Sequence, residues 1–98
     1  MVRMVRKAKV DSSDVARARE WTQRYTSYMA ERAPGGSEVT SWMEAYGNYG
    51  VVYWMIDAPD LGSLDSFLDQ LPTEEEYREI LKAGSELFMS GQTIDTLL

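Results

Sequence analysis

Ninety-eight residues, 44% hydrophobic and with a formal charge of −6, predict one domain spanning 1–98, near the small end of what can bury a core of its own. The chain has no cysteine and no histidine, which excludes disulfides and thiolate metal centres. It also removes the usual metal ligand, the usual axial ligand of haem and the usual general base near neutral pH, so neither metal nor cofactor is expected.

The charge is unevenly placed: residues 1–36 carry eight Lys/Arg against four Asp/Glu, and residues 37–98 carry two against twelve. Such halves can attract one another within a fold or across a dimer. An acidic total argues against nucleic acid as a partner, because that affinity comes mainly from cations facing phosphates. No apolar run approaches the ~20 residues that cross a bilayer. The opening MVRMVRKAKV lacks the apolar core of a signal peptide, and a cytoplasmic protein with no membrane partner is expected.

Residues 2–10, VRMVRKAKV, alternate Val2, Met4, Arg6, Ala8 and Val10 against Arg3, Val5, Lys7 and Lys9, the period of a strand. One face is mostly apolar, with Arg6 as its exception. The following DSSD offers Ser12 and Ser13 as helix caps, with Asp14 favourable at the positive end. Val15, Ala18, Trp21, Tyr25, Tyr28, Met29 and Arg32 then recur at steps of three and four, so one stripe faces a core. Ala33-Pro34-Gly35-Gly36 ends this helix.

EVTSWMEAY and YGVVYWMID are rich in β-branched and aromatic residues and are joined by Gly47-Asn48, a pair suited to a primed hairpin turn. Facing Tyr46 with Tyr49 and counting outward puts Glu44 opposite Val51, Trp42 opposite Tyr53 and Thr40 opposite Met55. The other face pairs Met43 with Val52, Ser41 with Trp54 and Val39 with Ile56. Both faces carry large apolar groups, so both are expected to be covered.

After Pro59, Ser63 is read as the cap of a helix with Leu64, Phe67, Leu68 and Leu71 on its buried side. Pro72 interrupts it, and Thr73 to Glu76 form a capping box that restarts helix toward Ala83, with Tyr77, Ile80, Leu81 and Gly84 inward and the glutamates solvated. Residues 86–97 read as a last strand, bent at Gly91. The order βαββαβ predicts an α+β, ferredoxin-like fold: a four-stranded antiparallel sheet with two helices on one face. An apolar open face then predicts a homodimer packed sheet to sheet.

With these elements the chain resembles the dimeric α/β-barrel superfamily, most nearly its NIPSNAP-type branch, through the helix DVARAREWTQRYTSYM, the strand and capped helix in VVYWMIDAPDLGSLDSF, and the ending ELFMSGQTIDTLL. Members of that superfamily include cofactor-independent monooxygenases, haem-degrading enzymes, isomerases and proteins with no known activity, so the resemblance implies fold more than function. The haem and imidazole-base branches need a histidine. Cofactor-independent oxygenation in similar folds uses Trp, Asn, Tyr and Arg in a pocket between sheet and helices. That implies Arg6, Trp42, Tyr46, Tyr53 and Trp54 here, while Asn48 is explained by its turn.

The residues themselves leave two uses open for the aromatics, core or interface packing and pocket wall. Arg6 and Glu44 stand among apolar neighbours and need partners. Either Arg6 sits at the rim or pairs with a carboxylate such as Glu44, or it reads an anionic or enolic oxygen of a small ligand beside Glu44 or a tyrosine hydroxyl. Two functions follow. One is binding, or transformation without metal or haem, of a small hydrophobic, aromatic or polyketide-like molecule. The other is a non-catalytic interaction module whose aromatic surface serves dimerisation.

Overall fold

Strand alternation at the start of the chain becomes β1, Val2–Lys9, and the helical stripe becomes α1, Val15–Arg32. The structure, a computed structural model, describes residues 1–10, 15–44, 50–89, 91 and 93–98. The proposed caps Ser12 and Ser13, and the turn at Gly47-Asn48, lie outside the described residues. Helix α1 buries Ala18, Thr22, Tyr25, Tyr28 and Met29, the expected face. It ends where Ser37 N–H donates to the Pro34 carbonyl at 3.0 Å, with Gly36 at φ 85°, a left-handed conformation that suits glycine.

β2, Glu38–Met43, and β3, Val51–Ala58, pair antiparallel in the register counted from the turn: Met43 with Val52, Trp42 with Tyr53, Ser41 with Trp54 and Val39 with Ile56. β1 pairs antiparallel with β3 on one side and with β4, Ile94–Leu97, on the other, giving the order β2-β3-β1-β4. This is the expected ferredoxin-like sheet.

Met4, Ala8, Val52, Trp54 and Ile56 project from one face into a core completed by Tyr25, Met29, Leu64, Phe67, Tyr77 and Ile80 from the helices. The other face carries Val5, Lys7, Trp42, Tyr53, Met55 and Ile94, its register mates.

The second crossover departs from expectation in its details. α2, Leu61–Gln70, is capped by Asp60, whose carboxylate accepts the Ser63 N–H at 2.7 Å. Asp60 stands three residues before the donor, the reach a cap needs, so Ser63 is the capped residue and not the cap.

Pro72 produces a 3-10 turn, Leu71–Thr73, before α3, Glu75–Gly84. Thr73 hydrogen-bonds back to the Gln70 carbonyl at 2.6 Å, and no side chain among the described residues caps α3, so the capping box does not form. Glu74 is drawn away from solvent instead. Its carboxylate accepts from the Tyr28 hydroxyl and from Arg32, both at 2.6 Å, joining the end of α1 to the start of α3. Burial, then the bond to Glu74, pushes Tyr28 up to about 12.

Leu81, expected inward, is 42% exposed. Among the described residues the last strand is shorter than read: the chain meets β1 at an isolated Val10–Phe88 bridge, Gly91 has φ 76°, and β4 pairs from Ile94.

Candidate functional site

Arg6 sits on the helix-facing side of central strand β1, beside Trp54 of β3 and Asp95 of β4 in register. That position settles its partner. Arg6 Nε and Nη2 donate to the two carboxylate oxygens of Asp95 at 2.7 and 2.9 Å, and Nη1 donates to the Tyr25 hydroxyl at 2.7 Å. A bidentate guanidinium–carboxylate contact of this kind combines charge with fixed geometry. It raises the Arg6 pKa and holds Asp95 below the usual carboxylate range, in each case chiefly through the hydrogen bonds. Burial pushes the Tyr25 hydroxyl well above its ordinary value, so it stays protonated.

The expected Arg6–Glu44 pairing does not occur. Glu44 extends the β2 side of the open face and accepts a hydrogen bond from the Tyr53 hydroxyl, which raises the tyrosine. Strand alternation is the cause: Arg6 lies in the row of Trp54, whereas Glu44 lies with Trp42 and Tyr53 on the opposite surface.

The six sequence candidates therefore divide. Arg6 and Trp54 share a pocket under the sheet; Trp42, Glu44 and Tyr53 share the open face; Tyr46 lies outside the described residues. Trp42 is 52% exposed, and Lys7 stands 5.9 Å from the Tyr53 ring centroid.

The pocket holds about 150 Å³ between the sheet and the helices, with Arg6, Ala8, Trp21, Tyr25, Trp54 and Phe88 among its walls and Leu81, Ser85 and Thr93 also bordering it. Its aromatics brace one another. Trp21 stacks on Tyr25 with centroids 5.0 Å apart, and it meets Phe88 at 5.1 Å and Trp54 at 6.3 Å edge to face. Tyr25 meets Trp54 at 5.4 Å.

Gly84 makes room for Trp21. A Cβ there would stand 2.7 Å from the indole nitrogen and closer still to Cε2 and Cζ2. The Trp21 N–H donates to the Ile80 carbonyl at 2.8 Å, so the ring lies fixed along α3. The Trp54 indole N–H, on a residue only 3% exposed, has no hydrogen-bond partner among the described residues.

Sequence reasoning did not single out Trp21, Tyr25, Gly84, Phe88 or Asp95 as site residues. The first three have the spacing of ordinary helix core, and nothing local ties Asp95 to Arg6 across 89 residues. Among the described residues no group of three or more His, Cys, Asp or Glu could hold a metal ion. None of the described helices is long and apolar enough to cross a membrane.

No protein-family model matches the sequence, and no curated protein is matched. Solved structures are. A NIPSNAP family protein with unknown function from Agrobacterium tumefaciens superposes with a TM-score of 0.83 at 9% identity, covering 100% of this chain and 86% of that one. An uncharacterized NIPSNAP domain protein from Burkholderia xenovorans gives 0.82 at 10% identity, with 100% and 92% covered.

The chain has the NIPSNAP-type fold. SnoaB, a cofactor-independent oxygenase from Streptomyces nogalater, is also similar to it, with a TM-score of 0.71 at 16% identity over 99% of this chain and 89% of that one. The fold is thus shared with proteins of unknown function as well as with an oxygenase, and the pocket's own chemistry must carry the functional argument.

Proposed function

We propose that the protein binds a small aromatic molecule, without metal or haem, in the pocket bordered by Arg6, Trp21, Tyr25, Trp54 and Phe88. The observation that carries this is a space of about 150 Å³ walled by four mutually packed aromatic rings, with the Arg6 side chain at its border. A cavity near that size accommodates benzene, so the volume favours a single ring over a polycyclic, polyketide-like molecule.

Binding is better supported than catalysis. Among the described residues none of the pocket's walls is a carboxylate, Asp95 is a weakened base because Arg6 holds its charge, and Tyr25 keeps its proton. Similarity to a cofactor-independent oxygenase makes oxidation of the bound ring the activity to assay first.

Trp42→Phe leaves tryptophan only at Trp21 and Trp54, both in the pocket wall, so fluorescence of that variant reports the site. A saturable change with single-ring aromatics is expected, with Kd between about 1 mM and about 1 µM from the usual yield per ligand atom. A response that never saturates, or equal response to three-ring compounds, would sink the reading.

A second reading has its own observation: Trp42 and Ile94 are 52% and 56% exposed on the face opposite the helices. We infer that a second copy covers this face. Beside the internal Arg3–Asp57 pair, β1 brings Lys7 and Lys9 to it, while the β2 side brings Glu38 and Glu44. A two-fold axis can oppose the basic half of one copy to the acidic half of the other. Sedimentation is expected to give about 22 kDa, twice the chain's 11.2 kDa, and Trp42→Glu to give the monomer. A wild-type monomer at micromolar concentration would refute it.

A further inference from the structure

One aromatic ring faces two spaces. Trp21 borders the pocket of about 150 Å³, and it also borders a groove of about 390 Å³ between α1 and α3, whose other walls include the exposed Arg17, Arg24 and Ala83. Among the described residues no other lies in both walls. Resting on the binding reading above, we propose that Trp21 fixes the size of the ligand: its indole is a partition that holds the site to one aromatic ring. Without it the pocket would continue outward between the helices and take a second ring in line with the first.

The partition is held from both helices. On α1, Trp21 stacks on Tyr25 with ring centroids 5.0 Å apart; toward α3, its N–H donates to the Ile80 carbonyl at 2.8 Å. Two consecutive residues of α3 stand on opposite sides of the ring, Gly84 at the pocket and Ala83 at the groove. The lack of a side chain at Gly84 is what lets the indole reach α3. Swinging the ring aside would give up a part-buried hydrogen bond and an aromatic contact together. Beyond it the groove offers the buried Leu87 and the side chains of Arg17 and Arg24, apolar surface with guanidinium groups that suit the face of a ring.

Calorimetric titration with phenol and 4-phenylphenol, which share a head group and differ by one ring, measures the partition. Extra apolar surface ordinarily tightens binding, so weaker binding of the longer probe reports a wall. The wild type is expected to bind 4-phenylphenol at least about tenfold more weakly than phenol. Trp21→Ala is expected to reverse that preference, with backbone amide resonances of Ala83 and Leu87 shifting on saturation with 4-phenylphenol. Trp21→Leu, which keeps some apolar bulk, is expected to give a ratio between the two. Phe88→Ala enlarges the pocket at a wall that does not border the groove, and is expected to leave Ala83 and Leu87 unmoved.

Wild-type binding of 4-phenylphenol as tightly as phenol overturns the proposal. So does an unchanged preference in Trp21→Ala, or in Trp21→Leu should the alanine variant fail to fold. An equal gain for 4-phenylphenol in Phe88→Ala, with the same amide shifts, overturns it too, because any widening of the pocket would then suffice. Absence of binding by both probes to the wild type and every variant would instead remove the binding reading, and the proposal with it.

Discussion

The two faces of the sheet carry similar residues to different ends. Each has a tryptophan, a tyrosine contact and a bidentate arginine–aspartate pair: Arg6 with Asp95 on the helix side, and Arg3 with Asp57 at 2.7 and 3.0 Å on the open side. Under the helices the tryptophan is 3% exposed and the arginine also holds a tyrosine; on the open face the tryptophan is 52% exposed. Residue type alone therefore says little about role. Surroundings decide whether an aromatic packs a core, walls a pocket or awaits a partner.

The largest expected contrast is between the tryptophans. Trp54→Ala removes a ring that is only 3% exposed and is expected to cost about 3–5 kcal/mol in urea unfolding. Trp42→Ala is expected to change the stability of the isolated chain by no more than about 0.5 kcal/mol. Equal losses would erase the distinction between the faces.

Gly84→Ala comes next. On an open helix surface the change would stabilise, but here the new methyl meets Trp21, and a net loss of about 1–2 kcal/mol is expected from overpacking. A gain would show that Trp21 does not lie as described.

Acid separates the ion pairs more finely. Asp95 is held below its unfolded value, so its contribution is full above about pH 4 and disappears as pH falls through the lower folded value. Asp95→Asn should flatten stability against pH below about pH 4 and leave the slope near neutrality unchanged. Asp57 is lowered in the same direction by Arg3, so Asp57→Asn should act likewise. An unaltered acid slope in Asp95→Asn would mean that the inner pair does not bear on stability.

Arg6 is 21% exposed and also holds Tyr25, whereas Arg3 is 47% exposed, so the smallest effect is expected from Arg3→Gln. Pairs of that kind are weakened by salt and by water. Its change should shrink further in high salt, whereas Arg6→Met, which also strands a part-buried tyrosine contact, should depend less on salt. Parallel salt responses would make the two pairs equivalent.

Hairpin register was legible because alternation has a period of two and counting outward from a turn fixes every partner. The pairs of Trp42 with Tyr53 and Ser41 with Trp54 follow from that count alone. Face assignment was also legible: Trp54 and Trp42 part company by parity.

The assembly of the pocket was not legible. Trp21 and Tyr25 fit an amphipathic stripe whether or not they wall a space, and Gly84 looks like a weak helix residue until a ring is laid against it. Arg6 was recognised as needing a partner, but sequence distance hid Asp95 and proximity in the pattern favoured Glu44. The Asp60 cap, by contrast, was available three residues before Ser63 and was passed over for the serine.

The pairing of Arg6 with Asp95 bears on folding order as well as charge. It joins the sheet's central strand to a four-residue strand across 89 positions of chain, a long loop to close, and contacts of high sequence separation form late. The β2–β3 hairpin and the packing of α1 need no such closure. In refolding from urea, burial of Trp54 is expected to precede docking of β4, and ligand-binding competence to return after the core signal. The affinity of the site is in that sense a clock on the last step of folding.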